Sequence, residues 1–409
     1  VILVTTKSGK SGKTNVSYSG SARFSDAIGV PDIMDSYTFA QYFNRASANK
    51  GGGDIFAPAV MERIKAYQEG TLKATTVDNG AGIWQKWANA NGDTDWFEEF
   101  YDHWAPSQEH NLSINGGTDK ATYFAGASYF SQEGNMGRLD YDRWNFRAGV
   151  NANIGKWTKA SFQISGDMGE QNNARNGISG GGTDADFNSL MTHLPFVPDY
   201  IGGRPVVYTG MQNVSSNLTA VQLYNFRAVQ NSPDNTENQT NNMSINGSLE
   251  HDFGWFKWTK GLKLKASYSR NIVNGKSNNI GTKINVYRLL NRGGSGGHLY
   301  TGDDIDLDES NFGTFTLDNG NLLTRTMNKT DSYQMNLTLS YARQFGLHNV
   351  SGLFSIEKAE SEYEYVTGNI TDPFSFTDGQ SNSTATGATQ TTTFSRTAVS
   401  YTHLRAHET

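Results

Sequence analysis

Asp303, Asp304, Asp306, Asp308 and Glu309 present closely spaced carboxylates, the side chains that wrap calcium. An EF-hand loop needs glycine where Glu309 stands, so Asp304, Asp306 and Asp308 make only a weak calcium candidate. The ordinary role of such a run is a solvated loop. His103 beside Asp102, with His110 nearby, has the residue types of a hydrolytic centre. No nucleophile elbow, HExxH helix or phosphate loop accompanies it, and the histidines read as surface-loop residues. The glycine runs Gly51–Gly53, Gly180–Gly182 and Gly293–Gly297 punctuate loops, since none joins a strand to a helix as a nucleotide fingerprint does. The chain has no cysteine, which removes disulfides and thiolate metal sites. A net charge of -6 argues weakly against a nucleic-acid partner. The expectation is a protein that is not an enzyme, with no catalytic residue, metal or cofactor.

Binding is the better prospect. Trp84, Trp87, Trp96 and Trp104 cluster in one long polar stretch, and Tyr200, Tyr208 and Tyr224 mark another. Aromatic planes suit the apolar faces of sugar rings or peptide side chains, and equally suit packing of the loop itself, because tryptophan buries a large apolar area. Two helices are expected before the tryptophans. One runs from Tyr37 to about Ala46, capped by Asp35 or Ser36; the other runs from Pro58 to Glu69 and is ended by Gly70.

The elements that hold these loops are strands. From Arg143 to Ile154, Trp144, Phe146, Ala148, Val150, Ala152 and Ile154 share one parity, while Arg143, Asn145, Arg147, Asn151 and Asn153 share the other. The same period of two recurs in Lys159–Met168, Asn242–Glu250, Leu262–Tyr268 and Tyr333–Tyr341, giving roughly ten such segments in all. Their spacers alternate. Thr118–Lys120, Gly155–Trp157, Phe253–Gly261 and Gly346–Asn349 are tight, whereas 25–108, 170–240, 274–330 and 368–391 are long, and only Gln132–Asp140 on the long side is brief. Tight turns on one rim and long loops on the other are the pattern of an all-β, antiparallel up-and-down transmembrane barrel. Hydrophobic content of 36% and a mean hydropathy of -0.58 carry no spanning-helix signal, which a barrel does not need because half of each strand faces water. The 22 Phe, 19 Tyr and 8 Trp suit interfacial girdles. Phe146, Val150, Phe162, Ile164, Leu249 and Leu337 are expected to face lipid. Arg143, Arg147, Lys159, Asp167, Lys263 and Lys265 are expected to face the lumen, and Arg270 and Arg343, on the apolar parity, to snorkel from strand ends.

VILVTTKSGK at Val1–Lys10 resembles the final plug strand of SusC/RagA-like TonB-linked outer-membrane transporters, followed directly by a first barrel strand at Thr14–Phe24. DTDWFEEFYDHWAPSQEHNLSINGGTDKATYFAGASYFSQEGNM, within Asp93–Gly137, resembles the family's second and third strands and their flanking loop. The resemblance implies the end of a plug at 1–12 and, at 14–401, the first part of a barrel, about ten of the family's 22 strands. It further implies location in the cell outer membrane and TonB-dependent import of a large nutrient, an oligosaccharide before a peptide. The implied partners are the TonB complex, engaged through an N-terminal region outside this sequence, a SusD-like surface lipoprotein closing over the long loops, and outer-membrane lipids. No signal peptide heads the sequence, so export needs one upstream. The strand-like stretch Thr391–Tyr401 has no closing partner, which makes the chain a piece of a larger barrel. THLRAHET at 402–409 breaks the alternation and resembles translated adapter sequence, so it is read as a non-native tail. Two rival readings are a complete ten-stranded outer-membrane hydrolase and a secreted adhesive β-protein.

Overall fold

The computed structural model describes residues 9–73, 92–175, 186–187, 190–191, 193–195, 199–201, 203–206, 225–289, 312–373 and 390–408. The main sheet is an antiparallel meander of ten strands: β1 (Gly12–Ser25), β2 (Ala105–Gly117), β3 (Ala121–Glu133), β4 (Leu139–Ile154), β5 (Thr158–Ala174), β8 (Asn235–Asp252), β9 (Leu262–Leu289), β10 (Phe312–Phe345), β11 (His348–Thr371) and β12 (Gln390–Glu408). Two-residue strands β6 (Tyr200–Ile201) and β7 (Arg204–Pro205) form a separate hairpin between β5 and β8. The sheet is not closed, and β1 and β12 are its edges.

Directly opposed residues share a face, so the registers convert the alternation into rows. Ala121, Ala152, Ala160, Leu249, Ala266, Leu337, Ile356 and Leu404 form one row across eight strands. One residue along, Thr122, Asn151, Ser161, Ser248, Ser267, Asn336, Glu357 and His403 form the next. The first row is wholly apolar and the second wholly polar, pointing to opposite sides of the sheet.

The tight turns fall where the spacing puts them, and Gly155 (φ 74°) and Gly346 (φ 59°) supply the left-handed residues that two of them need. Strand lengths differ from expectation. β9 continues to Leu289 and β10 begins at Phe312, so most of the expected loop 274–330 is paired strand; β5 and β8 likewise extend to Ala174 and from Asn235. Polar residues occupy both parities there, which removes the period-two signal, while ladder hydrogen bonds form regardless of side chain. The β9–β10 ladder shifts register between Asp318 and Leu322. Buried Asp234 stitches that shift, accepting from the Thr282 N–H at 2.9 Å, the Thr282 hydroxyl at 2.7 Å and the Asn319 amide. Strand β12, expected to stop at Tyr401, stays in register with β11 to Glu408, for the same reason that backbone pairing needs no alternation.

The packed core lies at the long-loop rim. α1 (Ser36–Asn49) is capped by Asp35, whose carboxylate accepts from the Thr38 N–H at 2.9 Å; α2 (Pro58–Gln68) starts on proline and is followed by Gly70 at φ 73°. Gln68 reaches back to Asp35 and Asp93, at 2.9 Å each, and locks the two helices together. Two short helices escaped the sequence reading, α3 (Trp96–Phe100) and α4 (Phe226–Gln230), capped by Asp95 and Asn225. Side chains of all four helices, with Val286 and Leu317 from the tips of β9 and β10, form one buried cluster.

Candidate functional site

Three surfaces can act on other molecules: the polar face of the wall, its apolar face, and the cap. On the polar face a groove of about 370 Å³ runs beside Gly9 and is lined by Arg147, Gln163, Asn246, Lys265, Ser269 and Gln334 among others. Cross-strand hydrogen bonds order it: Arg147 Nη2 donates to Gln163 Oε1 at 3.0 Å, Asn242 to Asp167 at 3.0 Å, and the Ser161 and Ser248 hydroxyls meet at 2.7 Å. Gly9 lies so close to β3 that a Cβ there would sit 2.4 Å from the Tyr123 carbonyl oxygen, so the chain enters β1 across this polar side. Arg143, Lys159 and Lys263 share its parity.

The apolar face is a belt. Phe162 is 50% exposed, and Val150, Leu249 and Leu337 are similarly open, while Phe146 and Ile164 are half-buried among them. In β5 the belt runs from Ala160 to Met168, roughly 27 Å of strand. Charges on the same parity end it. Arg270 Nε and Nη2 bind the two Asp331 oxygens at 2.9 and 2.7 Å, and Lys358 pairs with Glu360 at 3.5 Å. Arg270 is therefore not a strand-end residue that snorkels; because β9 is 28 residues long it lies within the strand, neutralised by a forked contact. Arg343 does lie at a strand end, two residues before the end of β10.

The cap separates the expected ligand-binding aromatics. Trp96 is 3% exposed, stacks on Phe100 at 5.7 Å and donates its indole N–H to the Leu194 carbonyl at 3.1 Å. That burial commits Trp96 to packing. Trp104 is 65% exposed at φ 60°, a left-handed conformation that costs a bulky residue energy and turns the ring outward. Tyr200 is half-buried beside Asp199 and Arg227, and burial pushes its hydroxyl pKa up. Trp84, Trp87, Tyr208 and Tyr224 lie outside the described residues, as do Asp304, Asp306 and Asp308. Among the described residues no cluster of three metal-ligating side chains occurs.

His103 and His110 have separate partners. His103 faces Asp26 at 3.1 Å and Glu98 at 3.3 Å, and those two carboxylates raise its pKa; His110, on β2, meets the Tyr18 hydroxyl at 2.8 Å. The residues sequence reasoning missed are the charged pins of the cap. Arg227 binds Asp199 at 2.6 Å, contacts Glu99, and lies 5.2 Å over the Phe100 ring. Burial pushes the Asp199 pKa up, against the pull of Arg227. No local motif announces these contacts, since Glu99 and Arg227 are 128 residues apart in the chain.

No model of a protein family matches the chain. It is 22% identical over 369 residues to TonB-dependent receptor P3 of Formosa agariphila, covering 88% of this chain and 29% of that protein. The RagAB peptide importer in its open-open state matches with a TM-score of 0.59 and 17% identity, over 98% of this chain and 40% of the other. A second structure, of the RagAB peptide transporter, matches with a TM-score of 0.56 and 16% identity, over 98% and 41%. The chain thus spans well under half the length of the relatives it matches. Its belt and polar wall thus belong to the antiparallel barrel-wall fold of the RagAB structures, and its sequence is similar to that of a TonB-dependent receptor.

Proposed function

We propose that this wall is part of an importer that uses TonB to draw a large nutrient through the outer membrane, with the tight turns facing the periplasm. The nutrient is an oligosaccharide, with a peptide as the second reading; the peptide importers among the fold neighbours favour the latter. The observation that carries the proposal is the pair of adjacent rows, one all apolar and one all polar across eight strands. Such a wall needs oil on one side and a wet, occupied interior on the other. Phe146, Val150, Phe162, Ile164, Leu249 and Leu337 meet acyl chains, and the polar groove beside Gly9 holds the plug. Substrate is captured at the long-loop rim, where Trp104 offers an open aromatic face and Tyr200 a partly open one. A SusD-like lipoprotein covers that rim, and TonB acts through a plug beyond the described residues. The wall itself performs no bond chemistry.

The test is uptake of labelled oligosaccharides and peptides by cells expressing the full gene product, with and without functional TonB. Uptake that needs TonB and drops in Trp104→Ala with normal amounts of folded barrel is expected. TonB-independent uptake, or a protein missing from outer-membrane fractions, overturns the proposal.

A further inference from the structure

The short-turn rim carries side chains that the import reading leaves unused. In the β8–β9 turn Trp255 and Phe256 pack with ring centroids 3.8 Å apart and Trp258 is 89% exposed; in the β10–β11 turn Leu347 is 98% exposed. Four cations stand among them. Lys156 Nζ lies 5.0 Å over the Trp157 ring, the Arg343 guanidinium 4.8 Å over the Phe345 ring, and Lys257 and Lys260 are exposed. None of the four is in an ion pair among the described residues; the nearby pair, Lys263–Asp252 at 3.9 Å, uses none of them. The three turns form one surface. The Asp252 N–H donates to the Trp157 carbonyl at 2.8 Å, the Ala342 N–H to the Gly261 carbonyl at 2.9 Å, and Arg343 Nη1 to the Lys257 carbonyl at 3.2 Å.

We propose that this surface binds the headgroups of anionic phospholipids in the leaflet that meets the short-turn rim. Indole rings sit at the headgroup level of a bilayer, where an apolar body and a polar N–H are both satisfied. Unpaired lysine and arginine at that depth attract phosphate. A zwitterionic headgroup brings its own ammonium into the same space and meets repulsion, so the site discriminates by net charge. The inference rests on the proposed orientation, with tight turns in the periplasm.

The test compares lipids retained by the full-length protein from bilayers of mixed phosphatidylglycerol and phosphatidylethanolamine, counted by native mass spectrometry. Enrichment of phosphatidylglycerol is expected. The combined variant Lys156→Gln, Lys257→Gln, Lys260→Gln is expected to weaken it by roughly fivefold per charge removed. Arg343 is kept because it ties two turns together. A control with the same charge change on the other rim, Lys50→Gln, Lys65→Gln, Lys73→Gln, retains the enrichment, and heat-modifiable gel mobility verifies that both variants are folded. Enrichment that survives in the first variant, or is lost equally in the control, overturns the inference. Orientation is read separately: residues 1–409 lack cysteine, so Leu347→Cys gives one label site among them, and any cysteine elsewhere in the full-length protein is first replaced by serine. Labelling from outside intact cells by an impermeant maleimide overturns the orientation and this inference together. Protection of the Leu347→Cys variant from the label, with unchanged lipid preference in the triple variant, overturns this inference alone.

Discussion

Trp96 and Trp258, one at each rim, have opposite surroundings. Trp96 is enclosed by protein, its N–H satisfied by a carbonyl, whereas Trp258 stands open beside unpaired lysines. Charge follows the same division. At the long-loop rim Arg227 is held between Glu99 and Asp199, and Lys276 pairs with Glu237 at 3.4 Å; in the tight turns Lys156, Lys257, Lys260 and Arg343 have no carboxylate partner among the described residues. Long loops contain enough chain to enclose a ring such as Trp96 and to pair a charge such as Arg227, although Trp104 stays open. Turns of a few residues do not, and leave both to the surrounding medium.

The comparison can be broken at several points. The largest effect is expected from Phe97→Ala in the cap, a fully buried ring whose loss costs about 3–5 kcal/mol. Protease nicking between Gly92 and Trp104 should then appear in a barrel that still assembles; loss of assembly instead would make cap and wall one unit. Next, Phe162→Arg should lower the amount of assembled barrel, by an energy of about 2–4 kcal/mol at mid-depth. Its neighbour Gln163→Glu, on the polar face and still an acceptor for Arg147, should be tolerated, and equal damage from both would destroy the two-faced assignment. Arg227→Gln should loosen the cap less than Phe97→Ala, since Asn225 still donates to Asp199 at 3.1 Å; limited proteolysis ranks the two. The smallest effect is a pH dependence. His103 has its pKa raised above 6.5 by Asp26 and then Glu98, so the tie it makes is complete below that value and is lost as pH rises through the raised one. Nicking near Asp26 should increase over that interval, and His103→Gln should flatten the profile.

How much of this was legible depended on whether neighbouring residues lived in different media. In β4 and β5, oil on one side and water on the other write the strand into the sequence as Trp144, Phe146 and Val150 against Asn145, Arg147 and Asn151. From Asn274 to Asn279 polar residues stand on both faces, and the alternation that marks a strand vanishes although the pairing continues to Leu289, past Val286, which the cap buries. α1 and α2 were readable because Asp35, Pro58 and Gly70 are local signals. α3 and α4, at five residues each, are too short to show a period. For the cap the limit is reach. The carbonyl that satisfies Trp96 belongs to Leu194, 98 residues on, so spacing in sequence could not separate a ligand-stacking ring from a packed one.

The β9–β10 ladder has a mechanical consequence. From Asp331, where charge ends the belt, β10 runs back to Phe312, about 58 Å of strand once the register shift is allowed for. At the tilt of a barrel strand that is on the order of 45 Å of height. The long-loop rim therefore stands well clear of the belt, like a raised collar, and anything approaching from that side meets the cap before the apolar face.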